Sequence, residues 1–474
     1  MRLAMLCASL ASVGCVGSAS GTADAVIFTI PDASPDGGGT ADASDVDASD
    51  PDAASAVIDA GPDIGVGDAA VDAGETDAGV IREPPDCLVA DDEGIPVDAE
   101  GMPNSAAVAT RDDGFGFAVA FTVMTGVETV LRLRLLDECG VPLGEEVDVD
   151  ATGRVVAAPV AAPLPAGGFV VAWSREDAPG DGEGAGVLFQ RFDVDGDPVG
   201  VATLANETTF DDQIVTSAAA SPNGFALAWE DHAGAVLVRP DPILATFDDL
   251  GGSESGEVTI TSDPNGFQDL PLLGAAPDGS LLAVWAEEGF EPLGRRRGAE
   301  DFVELDAFSL ADLGESALAT SAAGSDGGFA ATITTYSSDP EGDVDLILIP
   351  AAGDALVRVP VSHEEAAEGR GPLVAALADG GWAVAWTDRS QSDLDDTSGT
   401  TVRMQRFDSS GAATDPAPFV VPTETAFDQE LVAMAQGAGG TFVVWLDTSR
   451  ADDDLDGGLR ARLVPSAFDP DVDR

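Results

Sequence analysis

Short apolar runs recur along the chain, and each one follows a turn and ends near an aromatic residue. Runs of this kind, rich in Val, Phe and Trp and bounded by turn residues, are typical of buried β-strands. The spacing between runs is roughly 50 to 60 residues, a period typical of propellers and other repeat arrays. Seven copies occur, beginning at Gly116, Gly168, Gly224, Ser280, Gly328, Gly381 and Gly440. The pattern therefore predicts one modular all-β domain.

The residues around each run predict three more strands. A strand of small residues precedes the run, as at 373–378, and small side chains suit the crowded axis of a propeller. The strand after the run alternates in polarity, for example Leu133 and Leu135 against Arg132 and Arg134, as expected of a half-exposed strand. A tight turn then leads to a fourth strand. We predict a seven-bladed β-propeller with four-stranded blades, preceded by a disordered acidic linker.

The second copy carries the sharpest form of the repeat. It spans 168–200 and reads Gly-Phe-Val-Val-Ala-Trp, a polar loop, and then Gln-Arg-Phe-Asp-Val-Asp-Gly-Asp-Pro-Val-Gly; Gln-Arg-Phe-Asp returns at 405–408. This copy resembles a repeat of bacterial surface and secreted proteins, although the third, fourth and fifth copies lack the Gln-Arg-Phe-Asp segment. The resemblance implies a propeller fold and no single activity.

The two ends of the repeat array predict how the ring closes. The last copy has a third strand at 459–464 and no fourth strand, while residues 94–97 match the opening of the fourth strand at 140–143. We therefore expect residues 94–99 to complete the last blade of a propeller domain that spans 85–474. Cys87 and Cys139 would then lie on neighbouring blades. In an oxidising compartment a disulfide is the default for such a pair, and it would lock the seam.

Residues 1–20 have the pattern of an export signal, because Arg2 precedes a short apolar run and small residues follow. Ser12-Val13-Gly14-Cys15 resembles a bacterial lipobox, which makes Cys15 the expected lipid-attachment site, although the family prefers leucine where Ser12 stands. Cleavage by an ordinary signal peptidase after Ser20 is the alternative. We expect an exported protein of the bacterial cell envelope that meets the membrane only through its lipid anchor, with secretion as the alternative.

Residues 21–84 separate the signal from the repeats. They consist largely of Asp-Ala pairs mixed with Gly, Pro and Ser, and Phe28 is their only aromatic residue. Such a segment buries too little apolar surface to offset the entropy cost of ordering it. We expect a disordered stalk that is extended by the repulsion between its carboxylates.

The composition limits the partners. The formal net charge is −65, and all 21 basic residues apart from histidine are arginine. This charge disfavours nucleic acid and anionic membrane surfaces. The negative charge suits the binding of divalent cations, but a requirement for solubility or life in a saline habitat would explain the same composition. The expected partner is a protein or a glycan, and we expect the propeller to be a monomer.

Acidic loops are expected on one face of the propeller, which we call the long-loop face because the second-to-third and fourth-to-first loops share it. Long loops on a rigid scaffold are where binding usually occurs. Clustered carboxylates suit calcium, the one cofactor we consider, whereas a solvated acidic loop is the plainer interpretation. The candidate calcium ligands are Asp211, Asp212, Asp393, Asp395, Asp396, Asp428, Glu430, Asp452, Asp454 and Asp456.

The sequence gives little support for catalysis. It contains neither a zinc signature, nor a Gly-x-Ser-x-Gly elbow, nor a phosphate loop. His232 and His363 lie in unrelated copies, where we expect surface residues, and the basic cluster 295–297 is expected in the second-to-third loop of the fourth blade. The function we infer is non-catalytic binding or scaffolding. The alternative is a carbohydrate-active enzyme with carboxylates at the propeller channel.

Overall fold

Every regular element in the described part of the chain is a β-strand. The computed structural model describes residues 95–96, 102–111, 116–233, 240–261, 268–287, 291–297, 304–310, 316–336, 343–351, 356–362, 369–389, 399–423, 427–447 and 458–466. The expected signal and stalk lie outside these residues. No helix in the described part has the length and hydropathy to span a membrane.

Seven antiparallel four-stranded sheets make up the fold, and each sheet is one blade. Within each blade the strands are ordered from the channel outward. Blade 1 contains β2 (Met102–Thr110), β3 (Phe117–Thr125), β4 (Glu128–Leu136) and β5 (Pro142–Asp150); blade 2 contains β6 (Val160–Pro163), β7 (Phe169–Glu176), β8 (Ala185–Phe192) and β9 (Pro198–Leu204). Blade 3 contains β10 (Gln213–Ser221), β11 (Gly224–Asp231), β12 (Asp241–Asp248) and β13 (Val258–Thr259); blade 4 contains β14 (Asp269–Ala275), β15 (Leu281–Glu287), β16 (Glu291–Arg297) and β17 (Glu304–Ser309). Blade 5 contains β18 (Ser316–Ser325), β19 (Gly328–Tyr336), β20 (Asp343–Pro350) and β21 (Val357–Ser362); blade 6 contains β22 (Gly369–Ala376), β23 (Trp382–Asp388), β24 (Thr401–Phe407) and β25 (Phe419–Val420). Blade 7 contains β26 (Gln429–Gln436), β27 (Gly440–Asp447), β28 (Gly458–Pro465) and β1 (Ile95–Pro96). The prediction of a seven-bladed propeller is confirmed.

The outermost strand of blade 7 comes from the start of the propeller domain. Ile95 pairs with Ala461, and Pro96 pairs with Arg460, in an antiparallel ladder. This is the pairing expected of the segment 94–99, whose other residues lie outside the described part of the chain. Blade 7 therefore combines three strands from one end of the domain with one strand from the other.

Seven hydrophobic clusters hold the described blades together, and each cluster fills the space between two neighbouring blades. The second strand of every blade is buried on both faces, so its side chains alternate between the cluster on one side and the cluster on the other. Val119 of blade 1, for example, faces blade 7, whereas Ala120 faces blade 2. At the seam, the rings of Phe117 and Phe442 stack with centroids 4.3 Å apart. The blades thus bury their apolar strands against one another.

The innermost strands are bulged close to the long-loop face. Six of the seven inner strands shift register there, for example between Val215 and Ser217 in β10 and between Asp269 and Leu272 in β14. A bulge bends and twists a strand locally and re-aims the side chains beside it. The bulges therefore shape the end of the central channel at which the long loops lie.

Candidate functional site

A cavity of about 430 Å³ lies on the propeller axis and is lined by residues of all seven innermost strands. Its side chains are mainly aliphatic, among them Ala107, Val160, Leu273, Leu318 and Val432. Small and branched side chains predominate because seven strands converge on the axis. The volume lies within the range of cavities that bind small molecules in other proteins.

The hydroxyl groups in the cavity wall are engaged in hydrogen bonds. The Oγ atom of Ser217 accepts a bond from the amide of Leu273 in the next blade at 3.0 Å, and Thr387 Oγ1 accepts one from Leu431 N at 2.9 Å. The remaining wall hydroxyls pair as Ser321 with Val374, Thr216 with Pro271, Thr320 with Pro372, and Ser105 with Thr122. Five of these six bonds join neighbouring blades, and the bond between Ser105 and Thr122 joins two strands of blade 1. All six satisfy polar side chains of the wall.

Two carboxylates line the cavity at its long-loop end. Glu230 is the next-to-last residue of β11, and Glu430 is the second residue of β26. In an antiparallel blade, the end of the second strand and the start of the first strand lie at the same face. The two residues belong to blades 3 and 7, so they approach the axis from different sides. Of the described residues that line the cavity, Glu230 and Glu430 alone are charged, and both are acidic.

Glu230 also belongs to a cluster of titratable groups between blades 3 and 4. Its Oε1 atom accepts a hydrogen bond from Leu270 N at 2.8 Å, and its Oε2 atom lies 3.4 Å from His232 Nε2. The bond to Glu230 raises the pKa of His232, and burial opposes this rise only in part. Burial and then the charge of Glu230 raise the pKa of Asp269 to about 6. The cluster therefore contains a carboxyl group that titrates far above its ordinary range, together with an imidazole. The other histidine, His363, lies outside the described residues.

Two of the predicted calcium ligands accept backbone amide hydrogens from a neighbouring blade. Asp212 Oδ1 accepts a hydrogen bond from Ala185 N of the preceding blade at 2.9 Å, and Asp428 Oδ1 accepts the equivalent bond from Thr400 N at 3.0 Å. Both carboxylates thus tie the start of a third strand to the next blade. Asp211 precedes the first of them with a left-handed backbone (φ 67°).

The other calcium candidates divide between the channel and segments that are not described. Glu430 lines the cavity. Asp393, Asp395, Asp396, Asp452, Asp454 and Asp456 lie outside the described residues. Within the described ranges, no three His, Cys, Asp or Glu side chains are grouped so that they could hold a metal ion. The calcium site stays a prediction.

The predicted modification sites are only partly described. Cys139 lies in the turn between β4 and β5, where its amide donates a hydrogen bond to Asp137 Oδ1 at 2.9 Å. Cys87 and Cys15 lie outside the described residues. The pairing of Cys87 with Cys139 and the lipidation of Cys15 therefore stay predictions.

The long-loop face also carries two exposed aromatic side chains. Phe210 and Phe427 precede the inner strands of blades 3 and 7, and 57% and 54% of their surfaces are exposed. The two rings are exposed apolar surface on the face where the long loops lie. They lie next to the two acidic residues that tie neighbouring blades together, Asp212 and Asp428.

The basic cluster lies elsewhere than the sequence suggested. Residues 295–297 belong to the third strand β16 and not to the second-to-third loop, because the strand begins at Glu291. Arg295 and Arg296 are buried and donate hydrogen bonds to the carbonyls of Ile260 and Pro350 in the two adjacent blades. These two arginines are therefore structural groups between blades.

The channel acids were missed at the level of sequence, apart from Glu430. Glu230 stands in a β-strand with no motif around it. Asp269 ends a weaker form of the Phe-Asp segment that precedes other inner strands but was not chosen as a site residue, and His232 was expected at the surface. One signal was present: Gln213, Gln268 and Gln429 occupy equivalent, fully buried positions at the start of inner strands. Aligning the repeats on these glutamines places Asp269 and Glu430 at the same position of their blades. That alignment would have indicated an acidic position near the channel.

Comparison with known proteins assigns neither a family nor an activity to the chain. No protein-family model matches the chain, and no curated protein matches it. Solved structures match, among them a protein of unknown function from Dyadobacter fermentans with 10% identity and a TM-score of 0.48, covering 80% of this chain and 99% of that one. A polysaccharide lyase of family PL25, an ulvan lyase, has 9% identity and a TM-score of 0.48, covering 79% and 95%. An α-L-arabinanase from Penicillium chrysogenum has 12% identity and a TM-score of 0.42, covering 79% and 98%. At these identities and TM-scores the likenesses carry no argument.

Proposed function

We propose that this protein is an exported propeller of the bacterial cell envelope that binds a ligand in its axial cavity, entered from the long-loop face, and does not catalyse a reaction. The observation that carries the proposal is the cavity itself, which joins an aliphatic wall to two carboxylates at one end. Concave, mostly apolar sites with a few placed polar groups are the usual form of a small-ligand site. The ligand is a small molecule, or a terminal group of a protein or glycan.

Two further features support binding at this end. The exposed rings of Phe210 and Phe427 offer apolar contact area beside the long loops. The inner strands that carry the wall are fastened to each other by side-chain hydrogen bonds, such as that from Leu273 N to Ser217 Oγ. A preformed site binds with a smaller loss of conformational entropy than a mobile one.

The test is a binding screen of the full chain against glycan and peptide libraries, read by thermal shift and calorimetry. Ala107→Leu extends an apolar side chain into the cavity, and we expect it to abolish binding of any ligand found. Ala202→Leu is the matched control, because Ala202 is exposed on the outer strand β9. A ligand whose affinity is the same in wild type and Ala107→Leu would exclude the cavity as the site.

Attachment to the envelope is a separate part of the proposal. It rests on the lipobox-like Ser12-Val13-Gly14-Cys15 and the acidic segment that follows. Metabolic labelling with a radioactive fatty acid is expected to label the wild type and not Cys15→Ser. An unlabelled wild type with a mature N-terminus after Ser20 would instead support the secreted alternative.

A second candidate function, a carbohydrate-active enzyme, is favoured by one observation. Asp269 has a pKa of about 6 and interacts electrostatically with the ionisable Glu230 beside the channel, an arrangement that general acid–base chemistry on sugars requires. The full chain would be incubated with a panel of polysaccharides and its products analysed. Turnover that is lost in both Asp269→Asn and Glu230→Gln, but kept in Glu430→Gln, would establish the enzyme and overturn the non-catalytic proposal.

A further inference from the structure

We infer that the axial cavity takes an uncharged, unbranched aliphatic chain that lies along the propeller axis. This inference rests on the proposed binding function and adds the chemical class of the ligand. Three properties of the described wall carry it: the partners that its polar side chains already have, the kind of apolar side chain that remains, and the length of the wall.

The hydroxyl groups of the wall are already bonded within the protein. Thr216 and Thr320 each donate to a carbonyl of the next inner strand, and Ser217 accepts the amide hydrogen of Leu273. All six hydroxyl side chains among the described lining residues have a partner of this kind; they are Ser105, Thr216, Ser217, Thr320, Ser321 and Thr387. A ligand with several hydroxyl groups would exchange its hydrogen bonds to water for few bonds to this wall, which costs free energy.

The two acidic residues of the wall have partners as well. Glu230 Oε1 accepts a hydrogen bond from Leu270 N at 2.8 Å, and Glu230 Oε2 lies 3.4 Å from His232 Nε2. Glu430 also has an interaction partner. A cationic ligand would have to displace these partners, and an anionic one would find no basic side chain among the described lining residues. Because burial of an unpaired charge is far costlier than burial of a neutral group, the wall favours an uncharged ligand.

The rest of the wall suits an aliphatic ligand better than an aromatic one. It consists of Ala, Val, Leu, Ile, Pro, Gly and Met residues, and no described lining residue has an aromatic ring. An aromatic ligand would therefore lack the ring stacking that stabilises aromatic pairs in other sites. An alkyl group gains free energy by leaving water, and apolar cavities bind apolar molecules for this reason.

The length of the wall favours an unbranched chain. Consecutive residues of the inner strands line the cavity, for example 214–218 in β10, 318–322 in β18 and 430–434 in β26. Five residues of a strand extend over about 13 Å, since each residue adds about 3.3 Å. A chain that lies along the strands contacts the wall over this distance. Its affinity should therefore increase with each methylene group until the chain is longer than the wall.

The experiment is isothermal titration calorimetry of the full chain with 1-butanol, 1-hexanol and 1-octanol. We expect one alcohol per protein, an affinity that increases about fourfold for each added methylene group, and a negative change in heat capacity. Sorbitol, a polyol with as many carbon atoms as hexanol, is the matched polar probe, and hexylamine and hexanoate are the charged probes. Each of these three should bind at least about tenfold more weakly than 1-hexanol.

Two variants fill the cavity from different blades. Ala107→Leu on blade 1 and Ala158→Leu on blade 2 each enlarge a lining side chain, so a folding defect in one of them leaves the other for the test. Each should lower the affinity for 1-octanol by about tenfold or more. Ala202→Leu, at an exposed position of the outer strand β9, is the matched control and should bind as the wild type does. Thermal unfolding checks that each variant is folded.

The outcomes separate this inference from the proposed binding function. Tighter binding of sorbitol, hexylamine or hexanoate than of 1-hexanol, blocked by Ala107→Leu, would overturn the aliphatic class and leave the cavity as a binding site. Failure of every alcohol, with another ligand blocked by Ala107→Leu, would do the same, and an affinity independent of chain length would overturn the unbranched chain. Binding of 1-octanol that is unchanged in both Ala107→Leu and Ala158→Leu would overturn both proposals.

One further probe distinguishes the two sources of such a chain. A free alkyl compound and the acyl chain of a neutral lipid share the inferred chemistry. Monooctanoylglycerol that binds more tightly than 1-octanol, and is blocked by Ala107→Leu, would assign the ligand as a neutral lipid. Tighter binding of 1-octanol would assign a free alkyl compound.

Discussion

The indole N–H of Trp173 donates a hydrogen bond to Asp150 Oδ2 at 2.9 Å, joining the core of blade 2 to the outer strand of blade 1. Arg175 and Thr152 also donate to this carboxylate, and although burial opposes them, these bonds lower the pKa of Asp150. The indole nitrogens of the other buried tryptophans have no hydrogen-bond partner in the described structure. These residues are Trp229, Trp285, Trp382, Trp386 and Trp445. All six tryptophans of the chain are buried.

This difference between tryptophans gives a prediction about stability. Trp173→Phe and Trp229→Phe remove the same ring atoms from buried sites, but only the first leaves Asp150 without one of its donors. We expect Trp173→Phe to lower the free energy of unfolding by about 1 kcal/mol more than Trp229→Phe does. Urea unfolding of both variants measures this difference in free energy. Equal decreases in the two variants would show that the hydrogen bond does not contribute to stability.

Asp269 gives a prediction about pH. Its pKa is about 6 in the folded protein, above the ordinary value of 3.8, so the folded state binds more protons than the unfolded state between those values. Its contribution to the free energy of unfolding therefore falls as pH rises through this window and stays low above it. Asp269→Asn removes the effect, so the stability of the variant relative to wild type should rise by on the order of 2 kcal/mol across the window and then level off. A constant difference from about pH 4 to about pH 8 would contradict the raised pKa.

His232 supplies the matched variant for the same measurement. Its pKa is raised by the hydrogen bond to Glu230, so it stabilises the fold below its ordinary pKa of 6.5 and loses that contribution as pH rises through the folded-state value. His232→Gln should therefore be less stable than wild type in acid and approach it at higher pH. The two variants change in different pH windows, which separates their effects in one set of unfolding curves.

The bonds that tie neighbouring blades together give a third prediction. Asp428 Oδ1 accepts the amide hydrogen of Thr400, which is buried, and Gly399 before it has φ 79° and no room for a side chain beside the carbonyl of Phe427. Asp428→Ala leaves that amide without its acceptor and should cost about 1–2 kcal/mol, while Asp428→Asn keeps an acceptor oxygen and should cost less. Thermal unfolding compares the stability of the two variants. An equal loss of stability in both would mean that the charge of Asp428, and not its hydrogen bond, stabilises the fold.

The predicted seam disulfide is tested by substitution. If Cys87 and Cys139 pair, Cys139→Ser should lower the free energy of unfolding by as much as about 4 kcal/mol, since the crosslink closes a long loop. A reducing agent should lower the melting temperature of the wild type and leave that of the variant unchanged. Two free thiols in the exported protein, measured by alkylation and mass spectrometry, would exclude the pairing.

Much of the fold was predictable because it follows from local patterns. Apolar runs after turns mark the second strands, and alternating residues such as Leu133 and Arg134 mark the third. The Gln-Arg-Phe-Asp segment was recognisable as a motif, but its role was not: Arg406 is buried, pairs with Asp415, and donates to the carbonyl of Pro465 in the next blade. That role depends on how two blades are positioned, which the residues of one blade do not encode.

The candidate site was harder to predict for the same reason. Asp212 and Asp428 stand in acidic loops and resemble metal ligands in sequence, yet each one accepts a backbone amide hydrogen from a neighbouring blade. Asp269 interacts with Glu230 across the boundary between blades 3 and 4, a contact that the residues of one blade do not encode. The sequence analysis predicted that binding would occur at the long-loop face. It did not predict Glu230, whose position beside the channel is known only from the structure.

The pairing of Ile95 with Ala461 has a consequence for biosynthesis. While β28 has not yet left the ribosome, the nascent chain can form at most an incomplete ring of blades. In that state Phe117 and Phe121 of blade 1 face water instead of packing against Phe442 and its neighbours in blade 7. Completion of the native state must therefore await release of the C-terminal segment, and the unfinished arc presents an apolar flank to chaperones and to other arcs.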